Sequence, residues 1–155
     1  MASIRGPREL VDLLAARHSG VLTTLKSDGR PQLSNVTYAF YPGDAATPGD
    51  ADGGIVRVSI TADRAKYKNL LRDRRASLHV TTEDFWAYAV AEAMADLSPV
   101  ATDPADATVE ELVQLYRDVQ GEHPDWQEYR QVMVRDRRVV LRLPIERVYG
   151  MPPRA

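Results

Sequence analysis

The stretch from Ser59 to Arg75, SITADRAKYKNLLRDRR, concentrates the side chains most able to hold an anion. Arg64, Lys66, Lys68, Arg72, Arg74 and Arg75 follow one another within a few turns. Only Asp63 and Asp73 offset them, in a chain whose formal net charge is -2. The stretch leaves an apolar-alternating strand, Ile55 to Ile60, turns at Thr61-Ala62-Asp63 and continues at helical spacing. A helix N-terminus presents unpaired N–H groups and a partial positive charge. Arg and Lys beside such an end make a cradle for a phosphate. The same pattern also fits a solvated helix face, since charge runs are usually hydrated. Composition leaves both readings open.

Other chemistry is missing. His18, His79 and His123 stand far apart, without metal-ligand spacing, and no metal site is expected. There is no Gly-x-Ser-x-Gly elbow, Walker loop or Gly-x-Gly-x-x-Gly. Neighbouring His18 and Ser19 do not make a triad, because adjacency in sequence is not triad geometry. No catalytic side chain can be named. An enzyme with this sequence would let a bound cofactor carry the reaction.

The 155 residues, 44% hydrophobic and 27% charged, suit one domain over 1–155. No apolar run reaches the roughly 20 residues that span a bilayer, so no membrane partner is expected. MASIRGPREL lacks the apolar stretch of a signal peptide, and cysteine is absent. A cytoplasmic protein is therefore expected. The slightly acidic balance argues against nucleic acid as a partner, which needs a broad basic surface.

The elements that must position the basic stretch read as follows. Arg8 to Arg17 is a short amphipathic helix. Val21 to Lys26 and Gln32 to Phe40 are strands joined by a tight turn at Ser27-Asp28-Gly29-Arg30. Tyr41 to Gly54, with four glycines and two prolines, reads as an exposed mobile loop. Ile55 to Ile60, Ala76 to Thr82 and the longer run Phe85 to Leu97 are strands. In the last, Trp86, Tyr88 and Val90 should share one face. Thr108 and Glu111 match a capping box that opens a helix ending at Gly121. Pro124 to Val134 is a second helix. Arg138 to Leu143 is a strand that Pro144 interrupts, and Ile145 to Tyr149 is the last one. Strands joined by short turns imply an antiparallel sheet or small barrel with helices packed outside.

Four stretches in this order carry a family resemblance: GVLTTLKSDGRPQLSNVTY (20–38), SITADRAKYKNLLRDRRASLHV (59–80), WAYAVAEAMADL (86–97) and LVQLYRDVQGEHPDWQEYRQVMVRDRRVVLRLPIERVYGMP (112–152). Together they resemble the pyridoxamine-phosphate-oxidase-like flavin and deazaflavin oxidoreductases, and within them the actinobacterial F420-dependent branch. The resemblance implies a mainly β fold with α: a split β-barrel, FMN-binding-like and antiparallel Greek-key, with flanking helices. It implies a homodimer with a cofactor cleft at each end of the interface. By the same resemblance Ser59, Ile60, Arg64, Ala65 and Lys66 bind the cofactor's phosphate side. Pro31, Gln32, Ser34, Asn35 and Val36 form a second wall. Trp86, Ala87, Tyr88 and Ala89 lie near the ring system, in part across the dimer interface. Asp63 departs from the neutral residues usual there and is expected to cap the helix. The 42–54 loop is longer than the family's usual turn. Arg137 and Arg138 add charge near the end of the chain that the sequence does not place.

The expectation is an F420-dependent oxidoreductase passing hydride from the reduced deazaflavin to a conjugated small-molecule acceptor, with a proton from Tyr38, Tyr88 or solvent. The alternatives are an FMN-dependent oxidase or reductase of pyridoxamine-phosphate-oxidase type, and a non-catalytic module that binds a cofactor or heme derivative.

Overall fold

Alternation between buried and exposed side chains closes the strands of this chain into a barrel. The structure is a computed structural model and describes residues 3–43 and 53–154. In chain order its elements are α1 (Arg8–Ala16), β1 (Ser19–Leu25), β2 (Pro31–Pro42), β3 (Gly54–Thr61), α2 (Ala65–Arg72), β4 (Arg75–Thr81), β5 (Tyr88–Met94), β6 (Asp96–Leu97), α3 (Ala107–Gln120), α4 (Trp126–Arg135) and β7 (Arg138–Met151). Residues 44–52 of the predicted 41–54 loop lie outside the described residues. Tyr41 and Pro42 end β2, and Gly54 begins β3.

All ladders between these strands are antiparallel, in the order β3-β2-β1-β4-β5-β7, and pairing of β3 with β7 closes the ring. Closure leaves no free edge within the ring. The fold is the split β-barrel with flanking helices that the sequence implied. Two long strands do the splitting. β2 pairs with β1 through residues 31–37 and with β3 through 38–42. β7 pairs with β3 through Arg138–Pro144 and with β5 from Ile145 onward.

One barrel face of each strand fills the core: Leu22, Tyr38, Val56, Val58, Ile60, Leu78, Val80, Leu141 and Leu143 are buried there. Leu10, Val11, Leu13 and Leu14 of α1 join that core. A second core lies outside the barrel wall. There Val109, Leu112 and Val113 of α3 and Tyr129 and Met133 of α4 pack on Val140 of β7.

Four local expectations are corrected. The strand predicted over Phe85–Leu97 starts only at Tyr88. Phe85 has φ 70, and the Asp84 carboxylate accepts both the Thr82 hydroxyl (2.6 Å) and the Trp86 N–H (3.0 Å). This turn chemistry overrides the alternation of Trp86 with Tyr88, and leaves Trp86 68% exposed. The run also breaks at Ala95, whose N–H donates to Arg74 O, before β6 pairs with β7.

Pro144 does not interrupt β7. It sits where the strand leaves β3 for β5, opposite Ile55, a place where a missing N–H costs little. The capping box at Thr108 does not form either. Asp106 caps α3 by accepting from Val109 N (2.8 Å), Thr108 Oγ1 donates to Pro99 O (2.9 Å), and Glu111 turns to the sheet. Lastly, Asp63 does not cap α2, which starts after Arg64 without a side-chain cap bond.

Candidate functional site

The β3–α2 turn, the outer side of β2 and the α3–α4 pair enclose a cleft of about 450 Å³. Its strand-side lining is Asn35, Val36 and Thr37 of β2 and Ser59, Ile60 and Thr61 of β3. Alternation explains this. Val56, Val58 and Ile60 turn into the core, so Ser59 and Thr61 carry their hydroxyls to the other face. Arg64 and Lys66 enter from the start of α2, and Arg138 from the start of β7. The opposite wall is apolar and aromatic: Leu115, Tyr116 and Val119 of α3, with Tyr129 and Met133 of α4.

The electrostatics of this cleft are one-sided. Among the described residues, three cations line it and no carboxylate does. Burial, and then the charges of Arg64 and Arg138, hold the Lys66 ammonium below its usual range. Arg138 Nη1 stands 3.3 Å from Ser59 Oγ. Among the described residues, Arg138 Nε is buried with no hydrogen-bond partner. Buried polar groups are normally paired, and orphans ask for an explanation. A ligand oxygen in the cleft would supply one. The donor set of hydroxyls, guanidiniums and one ammonium suits a phosphate, and the wall opposite suits a planar apolar ring.

The matching family model spans residues 7–152 and is described as pyridoxamine 5'-phosphate oxidase. The chain belongs to that family. Solved structures with this fold agree in architecture. An F420 reductase is 21% identical over 93% of this chain and 98% of its own, with a TM-score of 0.63. A conserved hypothetical protein from Mycobacterium tuberculosis is 21% identical over 98% of this chain and 88% of its own, with a TM-score of 0.66. The group A Streptococcus protein HupZ is 11% identical over 97% of each chain, with a TM-score of 0.59. The flavin-type oxidoreductase family and its barrel are therefore shown, and at these identities the structural likenesses speak for the fold.

Within this family member the expected site residues separate into two groups. The cleft brings together Asn35, Val36, Ser59, Ile60, Arg64 and Lys66. Pro31, Gln32, Ser34, Ala65, Trp86, Ala87, Tyr88 and Ala89 do not line it. Gln32 is turned to the foot of α2, where Asn69 Nδ2 donates to it at 3.4 Å and to Thr24 Oγ1 at 3.1 Å. Ala87 and Ala89 are buried in the barrel core. Tyr88 stacks on His79, with ring centroids 5.5 Å apart. Trp86 lines a separate hollow with Met151 and Pro152–Arg154.

Sequence reasoning missed the α3–α4 wall and Thr37 and Thr61. It also left Arg138 unplaced. The helix from Thr108 to Gly121 is legible in the sequence, but a helix pattern does not say which sheet it covers. Of the proposed proton sources, Tyr38 does not line the cleft. Its hydroxyl is fully buried and donates to Leu14 O at 2.6 Å, and burial holds the phenol above its ordinary range. On the aromatic wall, burial has Tyr129 pushed up to about 12, with its hydroxyl committed to Leu112 O at 3.0 Å.

Proposed function

We propose that the chain is an F420-dependent reductase, acting as a homodimer, which reduces a conjugated small-molecule acceptor. One observation carries this reading: among the described residues, three cations without a carboxylate face an aromatic wall across one cleft. In it Arg64, Lys66, Arg138 and the hydroxyls of Ser59 and Thr61 hold the cofactor phosphate, and the α3–α4 wall excludes water. The bound coenzyme supplies the hydride. In this reading the chain's own role is to bind and orient. The deazaflavin is chosen after the F420 reductase that shares the fold, while the family supports a flavin in general.

Titration with F420 and FMN side by side, followed by fluorescence, tests the reading. F420 should saturate at the lower concentration, and the reduced coenzyme should then be consumed when a quinone-type acceptor is added. Saturation by FMN alone would replace the deazaflavin with FMN. Tight binding without turnover over a panel of acceptors would make the chain a binding module.

A further inference from the structure

The apolar wall of the cleft is the front of a larger cluster of four rings. They are Tyr116 of α3, His123 of the turn between the helices, and Trp126 and Tyr129 of α4. Each ring packs on the other three, with centroids 5.1–5.6 Å apart. Tyr116 and Tyr129 line the cleft, whereas His123 and Trp126 do not. His123 therefore stands behind the wall and touches both phenol rings that form it.

The backbone fixes this imidazole in one state. Its Nδ1 accepts the Asp125 N–H at 2.9 Å, so in this arrangement the ring is neutral and carries its proton on Nε2. Asp125 is the N-cap of α4, where its carboxylate accepts from Glu128 N at 3.0 Å. One bond of His123 thus ties the cluster to the start of the helix that brings Tyr129 and Met133 into the cleft. A second proton would place an N–H on Nδ1 against the Asp125 N–H, and that bond would be lost. The surrounding charges do not replace it in place. Glu122 is held by Arg117 (2.7 Å) and by Trp126 Nε1 (2.9 Å), and Arg117 lies over the Trp126 ring. The Asp125 carboxylate faces its own helix, and on the barrel side Arg138 puts a positive charge near Tyr129. Among the described residues, no carboxylate lies within salt-bridge distance of His123. The three rings still attract a cation, so a charged imidazole reorients among them, and rings packed this closely move together.

We propose that His123 is a positioning residue of the cleft: as a neutral ring it sets Tyr116 and Tyr129 against a flat ligand ring, and its protonation loosens that wall and lowers affinity. This rests on the reading of the cleft as the cofactor site. Histidine is the side chain that changes charge between about pH 5 and 8. Affinity should therefore be full at the upper end of that interval and fall toward the lower.

The test compares wild type with His123→Asn, whose side-chain oxygen can accept the Asp125 N–H but has no group that titrates in this interval. Dissociation constants for F420 and for FMN are measured at about pH 5.5 and about pH 7.5, on either side of the histidine range. Each ligand's own titration is common to both proteins and cancels in the comparison. The wild-type affinity should fall about fivefold more than the variant's, as loss of one hydrogen bond gives. An equal fall in both proteins overturns the proposal. A second measurement needs no ligand. The chain has two tryptophans, so in Trp86→Phe the emission comes from Trp126 alone. Its quenching by acrylamide should rise as pH falls through the same interval, and should stay level when His123→Asn is added. Level quenching with His123 in place overturns the proposal whatever the ligands do. If neither F420 nor FMN binds at any pH, the cofactor reading fails instead, and the quenching alone decides whether His123 holds the wall.

Discussion

Lys66 stands where burial and two guanidiniums all oppose its charge. An anion in the cleft reverses that balance, so binding and protonation of Lys66 favour each other. Lys66→Ala should weaken F420 or FMN binding by about 1.5–3 kcal/mol, the worth of a charge-assisted hydrogen bond. The pH dependence follows from the direction of the shift. Because the free protein's Lys66 titrates below the ordinary lysine range, affinity should be full below that lowered pKa and fall as pH rises through it. Fluorescence titrations across alkaline pH check this, and a flat profile would remove Lys66 from the contact. Tyr38 has a structural part instead. Its hydroxyl caps a carbonyl in the last turn of α1, one of the four such groups a helix leaves unpaired. Tyr38→Phe should cost about 1–3 kcal/mol in urea unfolding, with turnover per folded molecule unchanged. Lower turnover at equal folding would restore Tyr38 as a proton source. The sequence made Lys66 legible because a strand end, a turn and a cation cluster are all local. It placed Tyr38 on the strand from Gln32 to Phe40, yet did not show that α1 would bury its hydroxyl.

At the scale of elements, α3 decides how wide the cleft is. Arg57 of β3 and Arg142 of β7 are cross-strand partners, and like charges directly opposite one another destabilise a sheet. Glu111 of α3 relieves this by accepting Arg57 Nε (2.9 Å) and Arg142 Nε and Nη2 (2.9 and 2.6 Å). Tyr41 adds a bond to Asp118 of the same helix. The next turns of α3 carry Leu115, Tyr116 and Val119 into the cleft. Burial raises the Glu111 carboxyl, but the hydrogen bonds and charges of Arg142 and Arg57 outweigh it and leave the group below its ordinary 4.5. A depressed carboxyl stabilises the folded state fully above its unfolded value, and that stability is lost as pH falls through the folded value. Glu111→Gln should therefore cost about 1–3 kcal/mol at neutral pH, with the gap from wild type closing below the ordinary carboxylate range. Urea midpoints over that range check it, and a gap constant in pH would assign the loss to packing alone. The helix was legible in the sequence, whereas its anchor was not. Glu111 read as a capping residue because Thr108 precedes it by three, but Asp106, two residues earlier, reached the free N–H first.

For the whole molecule, the strands were legible one by one, whereas the closed barrel was legible only through the family resemblance. The pairing of β3 with β7 joins Ser59 to Val140, 81 positions later, and no local signal foretells it. Closure also decides what stays bare. The outer face over β3 and β7 is covered by α3 and α4. Across β2, β1, β4, β5 and the end of β7, a cross-strand row runs Asn35, Val21, His79, Val90 and Tyr149. Leu33 is 63% exposed on the neighbouring row, and Met151 is 55% exposed at the far strand. A shallow hollow beside this row shares Asn35, Val36 and Thr37 with the cleft. A second copy laid on this face would thus border the cleft. The expected species in sedimentation equilibrium is twice the 17.3 kDa chain mass. Leu33→Glu and Tyr149→Glu place charge on exposed positions of that face, so each should leave the barrel folded by circular dichroism. Each should also shift the protein to monomer and weaken cofactor binding in parallel. A wild-type monomer that binds cofactor as tightly as at high protein concentration would show that one chain suffices for the site.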